Sequence, residues 1–187
     1  MEANREPRLR IARRASRRQT IGVPTSSDPT ARLRGLWSRL APLPGGRWLF
    51  SRLLGLVVPY SATVRPLILE WEPGRARVAI PDRRRNRNHL RSVHAVALTN
   101  VGELASGLAL VAGLRPGTRA IVTRLETVFH HKARGRLVVE GSAPVDVVHE
   151  ESERLAHAVI RDEQGREVAE VHATWRLRPA SSPDASS

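Results

Sequence analysis

Three side chains with chemistry to offer fall in one stretch of the 187-residue sequence: Asn88, His94 and Glu103, within NHLRSVHAVALTNVGELASGLALVA. Glu103 is the only ionisable side chain between Ala95 and Ala112, and the segment around it is apolar nearly all round. Such a helix is normally buried, so a lone carboxylate in its middle needs a purpose. Thr99, Asn100, Glu103, Ser106 and Gly107 recur at helical spacing as a narrow stripe of polar and small residues. A stripe with one charge suits a confined polar space, either a pocket or a subunit interface, better than a solvated face. Burial there raises the carboxylate pKa unless a cation compensates. A glutamate satisfied by an arginine of its own fold is the other reading. At the helix entrance Asn88, Ser92 and His94 place donors and acceptors beside free backbone N–H groups, which attract an oxygen gaining negative charge. Ser92 is the simplest N-cap.

The elements that must hold these residues follow from patterning. Residues 1–29 read as a disordered basic arm, with seven arginines against Glu2 and Glu6 in the first 18 positions. Residues 30–59 carry two amphipathic helical segments. Leu33, Leu36, Trp37 and Leu40 share one face of the first; Trp48 to Val58 form the second, broken from it by Pro42, Pro44, Gly45 and Gly46. These cover an apolar edge of their own domain, or lie on a membrane surface, the first being the more common use of such helices. From Ser61 the texture is of strands: Val64–Trp71 and Arg75–Ile80 about the turn Glu72-Pro73-Gly74. After the helix come Arg119–Phe129, Arg136–Ser142, Arg154–Arg161 and Arg166–Leu177, the last two joined by Asp162-Glu163-Gln164-Gly165. Alternation puts Ile121, Thr123, Leu125, Thr127 and Phe129 on one face, so Thr123 points toward the core as a helper hydroxyl. The order strand, strand, long helix, four strands predicts an α+β domain over 60–178, an antiparallel sheet wrapped around one central helix. Residues 179–187 read as a disordered tail.

Composition limits the chemistry. With no cysteine there is no disulfide, thiolate metal site or cysteine nucleophile, which fits a reducing, cytoplasmic setting. The net charge of +13 is carried by arginine, with Lys132 the only lysine. That charge favours polyanions in general, and the basic arm offers a nucleic-acid reading, but the near-exclusion of lysine points to codon bias. No uninterrupted apolar run reaches the length of a membrane span. There is no Gly-x-Ser-x-Gly elbow and no phosphate-binding glycine loop. His130 and His131 are adjacent in a strand-like context and point apart, so no metal shared between them is expected, and no cofactor either.

Asn88-x5-His94-x8-Glu103 on a loop running into a helix resembles the hotdog-fold acyl-CoA thioesterases of the phenylacetate-pathway type, whose pattern is Asn, then His-Gly-Gly, then an Asp or Glu on the central helix. FHHKARGRLVVEG and the closing hairpin RLAHAVIRDEQGREVAEVHATWRL are similar to later strands of that family, and PGGRWLFSRLLGLVVPY resembles an uncharacterised bacterial branch. The resemblance implies a homodimer, or a dimer of dimers, acting on acyl-CoA or a similar thioester. Asn88 and the Ala95 N–H would polarise the thioester carbonyl, His94 would shape the loop, and Glu103 would attack or activate water. Lys132 and Arg134, with the Arg83–Arg87 loop, would meet the phosphates of coenzyme A. His94-Ala95-Val96 departs from His-Gly-Gly and narrows the entrance, so a non-catalytic module binding an acyl ligand or a protein partner is the alternative.

Overall fold

The computed structural model describes residues 29–179; the basic arm, except for its last residue, and the tail, except for its first, lie outside the described residues. Two helices, α1 (Pro29–Leu40) and α2 (Gly46–Val57), precede strands β1 (Leu67–Glu72) and β2 (Arg75–Ile80). The long helix α3 (Ala95–Gly113) follows, then β3 (Arg119–Phe129), β4 (Leu137–Ser142), β5 (Ser152–Arg161) and β6 (Glu167–Arg178). All six strands form one antiparallel sheet in the order β1-β2-β4-β5-β6-β3. This is the hotdog arrangement, with α3 cradled by the sheet.

Side-chain alternation explains the wrap. On β6, Ala169, Val171, Ala173, Trp175 and Leu177 are buried against α3, while the residues between them face outward. The helix sits flush because glycines meet it: a Cβ on Gly102 would overlap Val171, and one on Gly141 of β4 would overlap the Ala105 carbonyl. α3 has the length and hydropathy of a membrane span, yet 72% of it is buried inside its own protein.

α2 closes one margin of the sheet. Phe50 and Leu54 are buried, and Phe50 joins Trp37 and Trp71 in a cluster with centroid distances of 5.0 to 6.4 Å. The Ile68 N–H of edge strand β1 donates to Ser51 Oγ of α2 at 2.9 Å. Leu33, Leu36, Trp37 and Leu40 of α1 pack on the same cluster.

Two details differ from the sequence reading. The first strand begins at Leu67 rather than Val64, because residues 61–64 form a 3-10 turn ending at Arg65 with φ 54°. Pro66 disfavours the right-handed helical region for Arg65, so the turn cannot continue. On β3 the register shifts between Val122 and Arg124, making Thr123 the extra residue of a bulge. Cross-strand partners share a face, so Ala120 and Val122, paired with Leu177 and Trp175, point toward α3, as do Leu125, Thr127 and Phe129 beyond the bulge. Ile121 therefore lies on the outer face, and Thr123 is exposed rather than turned to the core.

Candidate functional site at the mouth of the central helix

The loop before α3 is organised by Asn88. Its side-chain oxygen accepts three hydrogen bonds, from Leu90 N at 2.9 Å, Ser92 N at 3.2 Å and Ser92 Oγ at 3.1 Å. Three converging donors identify that atom as the oxygen, which leaves the amide NH2 as a donor with no partner among the described residues. Arg91, with φ 56°, carries the chain around this turn. Asn86 anchors the arginine-rich segment from within: it is buried, and its amide donates to Val64 O and Pro81 O, while its carbonyl receives the His94 N–H at 2.7 Å.

His94, not Ser92, caps the helix. Its Nδ1 accepts the Val96 N–H at 3.1 Å, and its carbonyl accepts from Ala97 and Leu98. Ser92 is buried and spends its hydroxyl on Asn88, which leaves the cap to the next exposed side chain. With Nδ1 acting as acceptor, a neutral His94 carries its proton on Nε2. These bonds satisfy every N–H of the first turn except that of Ala95, which has no partner among the described residues and sits at the positive end of the helix. Val96 stands beside it, 54% exposed.

Glu103 lies two turns further in. Its side chain is half-buried and makes no hydrogen bond or ion pair among the described residues, and burial pushes its pKa above the usual carboxylate range. No arginine among the described residues satisfies it. One turn before it, Thr99 Oγ1 bonds Ala95 O at 3.1 Å and Thr127 Oγ1 of β3 at 3.0 Å. Thr99 and Thr127 are the residues that the motif reading passed over; Thr127 was visible only as one member of the inward stripe of β3.

The rest of the polar stripe disperses. Asn100 turns to Tyr60 O and Thr63 Oγ1, Ser106 is fully buried on Glu103 O, and Gly107 lies against the Trp175 ring. Thr123 donates to Thr174 O on the exposed side of the bulge, away from Glu103. Lys132 and Arg134 are exposed on the loop after β3 and form no ion pair among the described residues. Between them, the Ala133 carbonyl receives the Val93 N–H at 2.8 Å, bringing this loop beside the helix mouth.

A cavity of about 1100 Å³ lies elsewhere. It runs between α2 and the β1–β2 margin, lined by Trp48, Arg52, Leu56, Arg65 and Arg83 among others, and includes none of Asn88, His94 or Glu103. Arg83 and Arg52 repel Arg65 and lower its pKa. Residues outside this cavity can still form a site, because a half-buried carboxylate beside an open sheet edge is only partly walled by one chain.

Comparison with known proteins places the architecture. A Pseudomonas aeruginosa protein of unknown function, described as a probable thioesterase, superimposes with a TM-score of 0.63 at 25% identity, over 73% of this chain and 96% of that one. A thioesterase family protein from Silicibacter pomeroyi gives 0.60 at 20% identity, over 68% and 95% of the two chains. A Streptococcus mutans protein bound to acetyl CoA gives 0.53 at 15% identity, over 62% and 90%. The last two likenesses concern the fold alone. No curated protein matches the sequence. Residues 46–177, from the first residue of α2 to the penultimate residue of β6, match the family described as a domain of unknown function, DUF4442. Built on the hotdog fold shared with thioesterase-family proteins, the chain belongs to the DUF4442 family.

Proposed function

We propose that the protein is a thioesterase that hydrolyses acyl-CoA or a related acyl thioester at a site shared by two subunits. The observation that carries this reading is Glu103: a half-buried carboxylate without a partner, on the helix whose mouth offers two unused donors, the Ala95 N–H and the Asn88 amide.

Distance decides how the parts combine. Eight residues of α-helix rise about 12 Å, so Glu103 cannot reach a carbonyl held at Ala95 of its own chain. The partner subunit's Glu103 supplies the carboxylate if two chains meet along β3. That strand favours such pairing: it is an 11-residue sheet edge with Ile121, Leu125, Val128 and Phe129 exposed. A long, apolar, uncovered edge is a template for another strand.

In the reaction, Asn88 and the Ala95 N–H hold the thioester oxygen as it becomes an oxyanion. The carboxylate takes a proton from water, and the hydroxide adds to the carbonyl carbon. Collapse breaks the carbon–sulfur bond, and the proton passes to the departing sulfur, giving a carboxylic acid and a thiol. A raised pKa brings the carboxylate closer to neutrality, which suits a general base better than a nucleophile. His94 positions rather than reacts, since its Nδ1 is committed to the cap. Lys132 and Arg134, beside the mouth, supply charge for the phosphates of coenzyme A.

The deciding measurement is thiol release from a panel of acyl-CoAs by the wild type and Glu103→Ala. Turnover by the wild type and a fall of about 10² or more in the variant support the reading. Equal activity removes Glu103 from the mechanism. Ligand binding without turnover selects the non-catalytic module, for which the exposed Val96 at the mouth is the specific observation.

A further inference from the structure

The face of the sheet turned away from α3 carries chemistry that thioester hydrolysis does not use. On β6, Glu170 and His172 alternate with buried Ala169, Val171 and Ala173, so they point outward. Cross-strand pairing sets His157 of β5 directly opposite His172. The two imidazoles stack with centroids 4.5 Å apart and planes at 26°. Both turn Nε2 to the same carboxylate oxygen, Glu170 Oε2, at 3.3 Å from His157 and 3.7 Å from His172. The other oxygen of Glu170 lies 3.4 Å from Nε2 of His130, just past the end of β3. That nitrogen is also 3.5 Å from Glu167 Oε1, and Arg161 holds the second Glu167 oxygen at 3.1 Å.

One hydrogen bond, between His157 Nε2 and Glu170 Oε2 at 3.3 Å, accounts for part of this; the His172 contact is too long for one, and all of the contacts stand beyond the short range of charge-assisted bonds. A metal donor set accounts for the rest, provided the stacked rings turn about their Cβ–Cγ bonds so that both Nε2 lone pairs meet one ion. Donors about 2.0 to 2.1 Å from a tetrahedral ion stand roughly 3.3 to 3.4 Å from one another, and the three donor atoms here all lie within 4.8 Å of each other.

We propose that His157 Nε2, His172 Nε2 and Glu170 form a binding site for Zn2+, with the fourth position open to water. Two imidazoles and one carboxylate suit zinc or a neighbouring transition ion, whereas magnesium and calcium prefer all-oxygen sites. His130 braces the far oxygen of Glu170 and is itself braced by Glu167, the arrangement that orients carboxylate ligands in metal sites. The chain's charge of +13 opposes a cation at long range. Locally Glu167 and Glu170 outweigh Arg161, and salt screens the remainder. His130, in the segment just past β3, joins the cluster that β5 and β6 supply, and His131 is not part of it. Because the site lies on the opposite face from Glu103, the ion clips β5 to β6 and takes no part in hydrolysis.

The test uses the full chain without a polyhistidine tag, stripped with a chelator and titrated with Co2+ as a spectroscopic probe. One ion per chain, a tetrahedral ligand-field band, displacement by Zn2+ and a higher Tm with Zn2+ are expected. His157→Ala and His172→Ala each abolish the band, His130→Ala weakens binding by about 10- to 100-fold, and His149→Ala leaves it unchanged. Glu170→Gln, nearly isosteric and outward-facing, loses the band without disturbing the fold and serves if a histidine variant does not fold. The proposal is overturned if the wild type shows no saturable Co2+ binding, or if the affinity persists in Glu170→Gln or in the histidine variants.

Discussion

The hydroxyl of Thr99 stands 3.0 Å from that of Thr127, joining the first turns of α3 to the edge strand β3 one helical turn above Glu103. This bridge fixes the helix mouth relative to the strand on which a second subunit would seat. Thr127→Val keeps the shape and deletes the hydroxyl. A lost part-buried hydrogen bond is worth about 0.5 to 1.5 kcal/mol, so kcat should fall by roughly 2- to 10-fold with KM little changed. Thr127→Ser should recover most of it. Steady-state kinetics that show only a KM effect would move Thr127 from positioning to substrate binding.

Burial of Glu103 has a thermodynamic signature. The folded protein holds the Glu103 proton more tightly than the unfolded chain, so stability falls as pH rises from the ordinary carboxylate range through the raised pKa. Glu103→Gln removes that penalty. Calorimetry should find the variant with a higher Tm than the wild type at about pH 7, and equal to it at about pH 3, where Glu103 of the wild type is protonated in both the folded and the unfolded chain. The same shift governs the wild-type rate, which should rise with pH through a midpoint above the ordinary carboxylate range. A Tm difference that ignores pH would mean the side chain ionises freely.

Asn88 has two separable duties. Its oxygen builds the loop through three hydrogen bonds, and in the proposed mechanism its amide faces the substrate. Asn88→Asp preserves the acceptor and removes the donor, so Tm should hold while kcat drops by about 10² to 10³. Asn88→Ala should lose both. Full activity in Asn88→Asp would exclude the amide from the oxyanion site.

A site shared between subunits ties catalysis to assembly. Ile121→Lys with Val128→Lys charges the exposed outer side of β3 without touching its inward residues. Light scattering should then report a monomer where the wild type is a dimer, and hydrolysis should fall with it. A wild type that is monomeric at working concentration and still turns over rules out the shared site.

Much of the frame was legible because local chemistry imposed it. Pro73-Gly74 marks the first hairpin, and Gly74 takes φ 78° there; the strict alternation of β6 gave its inward face directly. What stayed hidden depended on contacts distant in sequence. The bulge at Thr123 carries no glycine or proline to announce it, so parity on β3 read correctly only beyond it. Ser92 looked like the cap because its engagement with Asn88 is a matter of loop geometry. Glu103 was conspicuous by its isolation, whereas Thr99 and Thr127 gain meaning only when α3 and β3 come together. The proposed zinc ligands come from β5 and β6, and His157 meets His172 only through the register in which those strands pair.

The two margins of the sheet are unequal, and that inequality limits growth. At β1, Ser51 of α2 takes an N–H that would otherwise seek a strand, and the Trp37–Phe50–Trp71 cluster covers the flank. At β3 nothing of the described chain intervenes. A building block with one live margin can pair once and must then stop. The N-terminal helices thus act as a terminator: under the proposed pairing along β3, strand addition would end at a two-fold symmetric pair, and the sheet would have no second margin for growth into fibres.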